Sequence, residues 1–377
     1  MFTLIIFIIV LGVIVLFHEF GHFITAKKTG MGVYEFGFGF PPRAIGWYRD
    51  PQTKKWVSVG RKFEREKAPA MIWSLNWLPI GGFVSIKGEE GGDNSPDSFG
   101  AQKYWKKCLV TVAGVVMNVI LAGILLGVGY LIGLPQVLDG VSDSAIISNQ
   151  RLEIVQVIKN TPAEAMDIKQ GDAILKIDDV ENPSLEFMQE YVNSHAGAEI
   201  NLSLKRNGEI LDKKITPMIY EDTGKAGIGV GLAELGTVRY PWYQAFYYGL
   251  TATGYYLKAI VFTFGLLIYG LFTGTAGVMA EAVAGPVGIA VMTGEVARLG
   301  LAYLLQFTAL LSLNLAVLNI LPIPALDGGR LIFLTIGKIF GNERGLKYEQ
   351  LAHTLGFLLL MALVVLVTFK DLLGLFK

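Results

Sequence analysis

Phe17-His18-Glu19-Phe20-Gly21-His22 is an H-E-x-x-H pattern inside an apolar run that starts at the N-terminus. On a helix, side chains four apart share a face, so His18 and His22 can grip one metal ion. Glu19 adds a carboxylate placed to take a proton from water activated by that ion. A five-residue pattern can arise by chance, so its setting matters. Residues 2–17 carry no charge, and a charge in a membrane helix costs roughly 2.5–3.5 kcal/mol even on a lenient insertion scale. A satisfied polar cluster in a helix bundle is the alternative, but metal coordination accounts better for these side-chain types.

Zinc in a hydrolase takes three protein groups and keeps one position open. The remaining histidines are His195, in a polar region, and His353, at the start of the last apolar run. Asp327 is the better third ligand. It follows Pro322-Ile323-Pro324-Ala325-Leu326 and precedes Gly328-Gly329. Two prolines two residues apart cannot both continue a helix, so the chain must unwind just before this carboxylate. The competing role for Asp327 is a helix cap.

These groups need apolar helices to carry them. The chain has 377 residues, is 52% hydrophobic and has a formal net charge of zero. That balance argues against nucleic acid as a partner. Apolar runs near 2–26, 109–134, 299–321 and 351–369, free of Asp, Glu, Lys and Arg apart from Glu19, approach or exceed the roughly 20 residues that span a bilayer. The first run lacks a basic n-region and a small-residue cleavage site, and reads as a retained first membrane helix. Gly114, Gly123 and Gly127 permit close helix approach, with Asn118 as helix–helix glue. Cys108 is the only cysteine, so no internal disulfide is possible.

Residues 30–104 are polar and rich in glycine and aromatics. Gly37-Phe38-Gly39 and Leu78 to Lys87 read as short strands with tight turns. Residues 135–235 become charged. Strands are expected over 154–158, after Gly171-Asp172, and in a hairpin over 200–206 and 209–215, with helices near 160–164 and 184–193.

Taken together, the chain resembles the site-2 protease family of intramembrane zinc metalloproteases, in its regulator of sigma-E protease branch. His18 to His22 match the family's first-helix motif, and Asn319 to Gly328 match its N-x-x-P-x-P-x-x-D-G motif. Residues 37–39 and 78–87 resemble the family's membrane-dipping β segments, Gly285-Pro286-Val287-Gly288-Ile289 another recurring stretch, and residues 150–220 a PDZ domain. The chain departs from the pattern in three places. There is room for one PDZ domain rather than two. Ala113-Gly114-Val115-Val116-Met117-Asn118 lacks the usual proline. No G-L-G-F loop opens the PDZ-like region.

The expected fold is a polytopic α-helical membrane protein with about four transmembrane helices, a membrane-associated β-hairpin region and one inserted α+β PDZ-like domain. The expected domains are 1–134, 135–238 and 239–377. The resemblance implies a Zn2+ endopeptidase, with His18, His22 and Asp327 on the metal and Glu19 as base. Asn319, Pro322, Pro324, Gly81, Gly82, Phe83, Val84, Gly37, Phe38 and Gly39 would hold substrate. The partners would be single-pass membrane proteins, such as anti-sigma factors or signal-peptide remnants, and the lipid bilayer.

Topology follows from charge. Loop 27–107 carries about 14 basic and 8 acidic residues, which places it and the catalytic motifs at the cytoplasmic face of the cell membrane, with the PDZ-like domain outside. Counting crossings then leaves 240–273 as an interfacial or re-entrant segment. A membrane scaffold with a structural metal site is a rival reading, disfavoured because such a site has no need of Glu19. A metal transporter should show internal repeats, and none is visible.

Overall fold

The computed structural model describes residues 2–89, 91, 93, 95–206, 208–220, 224–274 and 284–375. It divides into two units, residues 1–128 with 246–377, and residues 129–245.

The first unit is built on helices. They are α1 (Phe2–Lys28), α2 (Tyr104–Ile132), α5 (Trp242–Thr273), α6 (Pro286–Leu299), α7 (Leu301–Ile320), α8 (Asp327–Phe340) and α9 (Asn342–Leu375). Val10 and Ile14 of α1 pack with Leu121 of α2 and with Leu304, Leu311 and Leu315 of α7. Glycines set the spacing. A Cβ on Gly21 would lie 2.4 Å from the Ala113 carbonyl oxygen, and one on Gly249 would lie 2.5 Å from the Gly127 nitrogen. Between apolar helices in lipid, such close backbone approach is a main source of attraction.

Two expectations change here. Among the described residues, five helices rather than about four are long and apolar enough to cross a membrane: Phe2–Lys28, Tyr104–Ile132, Trp242–Gly270, Leu301–Ile320 and Gln350–Gly374. Residues 240–273 are not a re-entrant hairpin, because α5 runs unbroken through them. Pro241 immediately precedes α5 and none follows within Trp242–Thr273, so nothing forces a turn inside the helix. The Gly285–Ile289 stretch also acquires a structural role. Asp371 of α9 accepts the backbone N–H groups of Gly285 (3.3 Å) and Gly288 (2.7 Å), capping the start of α6.

A three-stranded sheet lies between α1 and α2 in sequence, with order β2-β1-β3. Its strands are β1 (Val33–Arg49), β2 (Trp56–Val59) and β3 (Ile72–Ile86). Strands β1 (17 residues) and β3 (15 residues) are far longer than the short strands expected, because repeated register shifts let them stay paired past their glycines and prolines. Beside buried Val33, Phe36, Tyr48, Ile72 and Ile86, part of the sheet inverts the usual pattern. Phe38, Phe40, Ile45, Trp47, Trp73 and Leu75 are exposed, whereas Glu35, Arg43, Ser74 and Asn76 are buried. Glu35 and Arg43 neutralise each other in a buried ion pair.

The second unit is a mixed α+β fold. Its sheet runs β4 (Leu134–Val137), β12 (Val230–Arg239), β5 (Ile146–Val157), β6 (Ala173–Ile177), β8 (Ile200–Arg206), β9 (Glu209–Ile215), with β7 (Val180–Glu181) paired to β6. Short strands β10 (Met218–Ile219) and β11 (Ala226–Gly227) pair with each other. Helices α3 (Pro162–Ala165) and α4 (Leu185–Ser194) complete it. Ser184 caps α4 as expected, its hydroxyl accepting the Phe187 N–H at 3.2 Å. Hairpin β8–β9 forms where the alternation placed it, although Asn207 of its turn lies outside the described residues. Ile154, Ile177, Leu202, Leu204 and Ile215 are buried in its core, and each such side chain stabilises the fold by about 1.5–3 kcal/mol.

Candidate metal centre

Helix α1 carries His18 and His22 one turn apart, and both are buried. Helix α7 ends at Ile320, residues 321–326 unwind, and α8 starts at Asp327. The break brings that carboxylate to the histidines. His18 Nε2 lies 3.2 Å from Asp327 Oδ2, His22 Nε2 lies 3.6 Å from it, and the two Nε2 atoms are 3.2 Å apart. Among the described residues, this is the group of three whose donor atoms could hold a metal ion. Zinc bonded at roughly 2.0–2.1 Å in a tetrahedron separates its ligand atoms by roughly 3.3–3.4 Å. The three observed separations fit that spacing, so the residues suit zinc.

The other ring nitrogens are engaged as well. His22 Nδ1 donates to the Val110 carbonyl at 2.8 Å. His18 Nδ1 lies 3.3 Å from the Asn118 carboxamide. If Nε2 offers its lone pair to a metal, Nδ1 carries the proton and needs an acceptor. The Asn118 amide presents Nδ2 to this ring while its buried Oδ1 has no partner, and exchanging the two amide atoms would give His18 Nδ1–H its acceptor. Asn118, expected as helix glue, is therefore a partner of His18, and Ser312 of α7 donates to its backbone carbonyl at 2.9 Å. Gly114 is equally specific. A Cβ there would lie 2.4 Å from His22 Nε2 and 2.7 Å from His18 Nε2, so α2 must present bare backbone to both rings.

Glu19 faces β3, where its Oε2 accepts the Val84 N–H at 3.2 Å. A cavity of about 150 Å3 touches Glu19, the three donor residues and Val84. It also touches Glu89 and Arg330, which form an ion pair between the loop after β3 and α8.

The expected substrate residues fall into two groups. Gly37 pairs with Phe83 and Phe38 with Gly82 across β1 and β3. Gly81 and Gly82 lie against Val15 and Leu16 of α1, one turn before His18, and Gly39 adopts φ +81°. Asn319 comes within 3.4 Å of His18 Nε2, while Pro322 and Pro324 sit in the unwound segment. Gly328 and Gly329 let α8 start against that segment, since their Cβ atoms would lie 2.2 Å from the Ile320 and Ile323 carbonyl oxygens. His195 belongs to the other unit. His353 approaches the unwound segment instead of the metal group, with Nδ1 3.0 Å from the Ala325 nitrogen.

In the second unit, a cavity of about 490 Å3 lies between α4 and residues 225–232. Gly227, Ile228 and Val230 border it, and Gly229 among them adopts φ +85°. This glycine-rich turn leads into β12.

Comparison with known proteins adds findings of three kinds: a family, relatives and a solved structure. The model of peptidase family M50 matches residues 6–363. A candidate zinc metalloprotease of Clostridium perfringens is 35% identical over 95% of each chain. The regulator of sigma-W protease RasP of Bacillus subtilis is 29% identical over 99% of each chain, and the zinc metalloprotease RasP of Oceanobacillus iheyensis is 28% identical over 100% of each. A solved PDZ domain of an SdrC-like protein from Listeria monocytogenes matches 22% of this chain and 85% of its own, at 23% identity and a TM-score of 0.20.

Proposed function

This chain belongs to peptidase family M50, and from that premise we propose that it is an intramembrane zinc endopeptidase that cuts the membrane-spanning segments of single-pass proteins. It is a membrane zinc metalloprotease. The observation that carries the finer reading is the meeting of His18, His22 and Asp327 donors between helices apolar enough to span a bilayer.

His18, His22 and Asp327 would hold the ion. Zinc there supplies Lewis acidity, polarising a peptide carbonyl and bringing the pKa of water to about 7. Glu19 takes the proton of the attacking water and hands it to the departing amine nitrogen. Its carboxylate is one residue from His18 on the same helical turn, and it faces the same small cavity. A helical substrate hides its peptide bonds, so it must be cut in extended form. Strand addition along Gly81–Val84 would hold it so, with Asn319 and the unwound Pro322–Leu326 stretch opposite. The exposed aromatics of β1 and β3 suit a sheet dipped in lipid, with Glu35 and Arg43 paired beneath and the Asn76 amide donating to the Gly39 carbonyl at 2.8 Å.

The name of the Bacillus subtilis relative, a regulator of a sigma factor, favours anti-sigma factors as substrates here, and signal-peptide remnants share the same single-span chemistry. The basic 27–107 loop supports a topology with the catalytic motifs at the cytoplasmic face and the PDZ-like domain (135–238) outside, where it would screen substrates before cleavage. The test is full-length protein in proteoliposomes with a single-span substrate. Cleavage should stop with a chelator and return with zinc. Cleavage that persists in the metal-stripped protein would overturn the proposal.

A further inference from the structure

We propose that His353 is a positioning residue of the metal site, holding the unwound segment so that Asp327 meets the two histidines. The inference rests on the reading of Asp327 as the third metal ligand. Asp327 is attached to α8, but the chain reaches it through Ala325, which sits at φ +77°. An L-residue other than glycine resists that left-handed conformation, because its Cβ crowds the following carbonyl. The conformation persists only where neighbours impose it. His353 of α9 supplies such a neighbour, its Nδ1 accepting the Ala325 N–H at 3.0 Å.

The same face of α9 continues the grip. Gly356, three residues on, lies so close that a Cβ would be 2.6 Å from the Pro324 carbonyl oxygen. From the opposite side, the Phe333 ring of α8 stands 5.7 Å from the imidazole. The segment is thus clamped at Pro324 and Ala325, two residues before the carboxylate. To accept the Ala325 proton, Nδ1 must be bare and Nε2 must carry the ring proton. His353 Nε2 is buried with no hydrogen-bond partner, so Ala325 is the partner that fixes this ring. A histidine is not required for packing here, but an acceptor at the Nδ1 position is.

The test uses the full chain and three variants. His353→Asn keeps an oxygen acceptor near the place of Nδ1, His353→Leu keeps bulk without an acceptor, and Ala325→Gly removes the conformational strain. Each is loaded with cobalt(II) for its visible absorption, and with zinc for retention against a competing chelator. Circular dichroism checks helix content. His353→Leu should shift or weaken the cobalt bands and lose zinc at least tenfold more readily, while His353→Asn should stay within about twofold of wild type. Adding Ala325→Gly to His353→Leu should recover most of the loss, which also keeps the test decisive if the single Leu variant folds poorly. A wild-type cobalt spectrum in His353→Leu, equal damage in the Asn and Leu variants, or no recovery in the double variant overturns the positioning role alone. Wild-type protein that binds neither ion overturns the metal-site reading, and this role with it.

Discussion

Glu19 Oε2 accepts the backbone N–H of Val84 at 3.2 Å, so the carboxylate beside the metal-type histidines is tied to an edge of β3. Val84 sits opposite Phe36 of β1, yet this N–H points to α1. A substrate strand added along that edge would compete with Glu19 for the same amide, linking substrate arrival to release of the base.

Val84→Pro removes that N–H while the metal donors remain. Cleavage should fall by about tenfold or more, as expected when a catalytic group loses its alignment. Val84→Ala keeps the amide and should stay within about threefold of wild type. Rate measurements on zinc-matched protein decide it, and equal rates for the two variants would count against the link.

Glu19→Gln keeps the size of the side chain and removes its basicity. Zinc content should stay at one per chain, and cleavage should fall by about 10²–10⁴. Elemental analysis with a single-span substrate assay checks both. A Glu19→Gln enzyme cutting at the wild-type rate would exclude Glu19 as base.

Gly114→Ala would drive a methyl group into both imidazoles, given the 2.4 Å approach to His22 Nε2. Zinc content should drop to less than half. Asn118→Ala deprives His18 of its acceptor and should weaken metal affinity about 10–100-fold. Chelator-competition titration reads both effects, and an unchanged affinity in Gly114→Ala would contradict the packing described.

In the second unit, burial favours the neutral form of Asp172, but Arg206 and the Lys169 N–H outweigh it and hold the carboxyl below its ordinary range. The unfolded chain therefore takes up the proton first, near pH 3.9. The stabilisation is complete above that pH and drains away as pH falls through the lower folded value. Asp172→Asn should cost the unit about 2 kcal/mol at neutral pH and flatten its acid dependence. Hydrogen exchange at Ile154 and Ile174 across pH would show it, and a wild-type acid profile in the variant would refute it.

The proposed topology predicts that cysteines at Ser58 and Ser203, in a Cys108→Ala background, label from opposite faces of sealed vesicles. Labelling of both from one face would reverse the charge-based assignment.

Local spacing made the H-E-x-x-H turn, the proline break before Asp327 and the hairpin at 200–215 legible, because period and backbone restriction are properties of neighbouring residues. Contacts between distant residues were not legible in that way. Val110 is 88 residues from His22, Asn118 is 100 from His18, and Asn319 is 301 from His18. Only the packed helices decided that Gly114 must lack a side chain, that Asn118 serves His18, and that His353 holds Ala325. Counting membrane crossings left 240–273 as an interfacial or re-entrant segment, and the unbroken α5 removes only the re-entrant alternative. Parity constrains the ends of a segment, whereas the unbroken path of α5 depends on its backbone hydrogen bonds and on its contacts with α2.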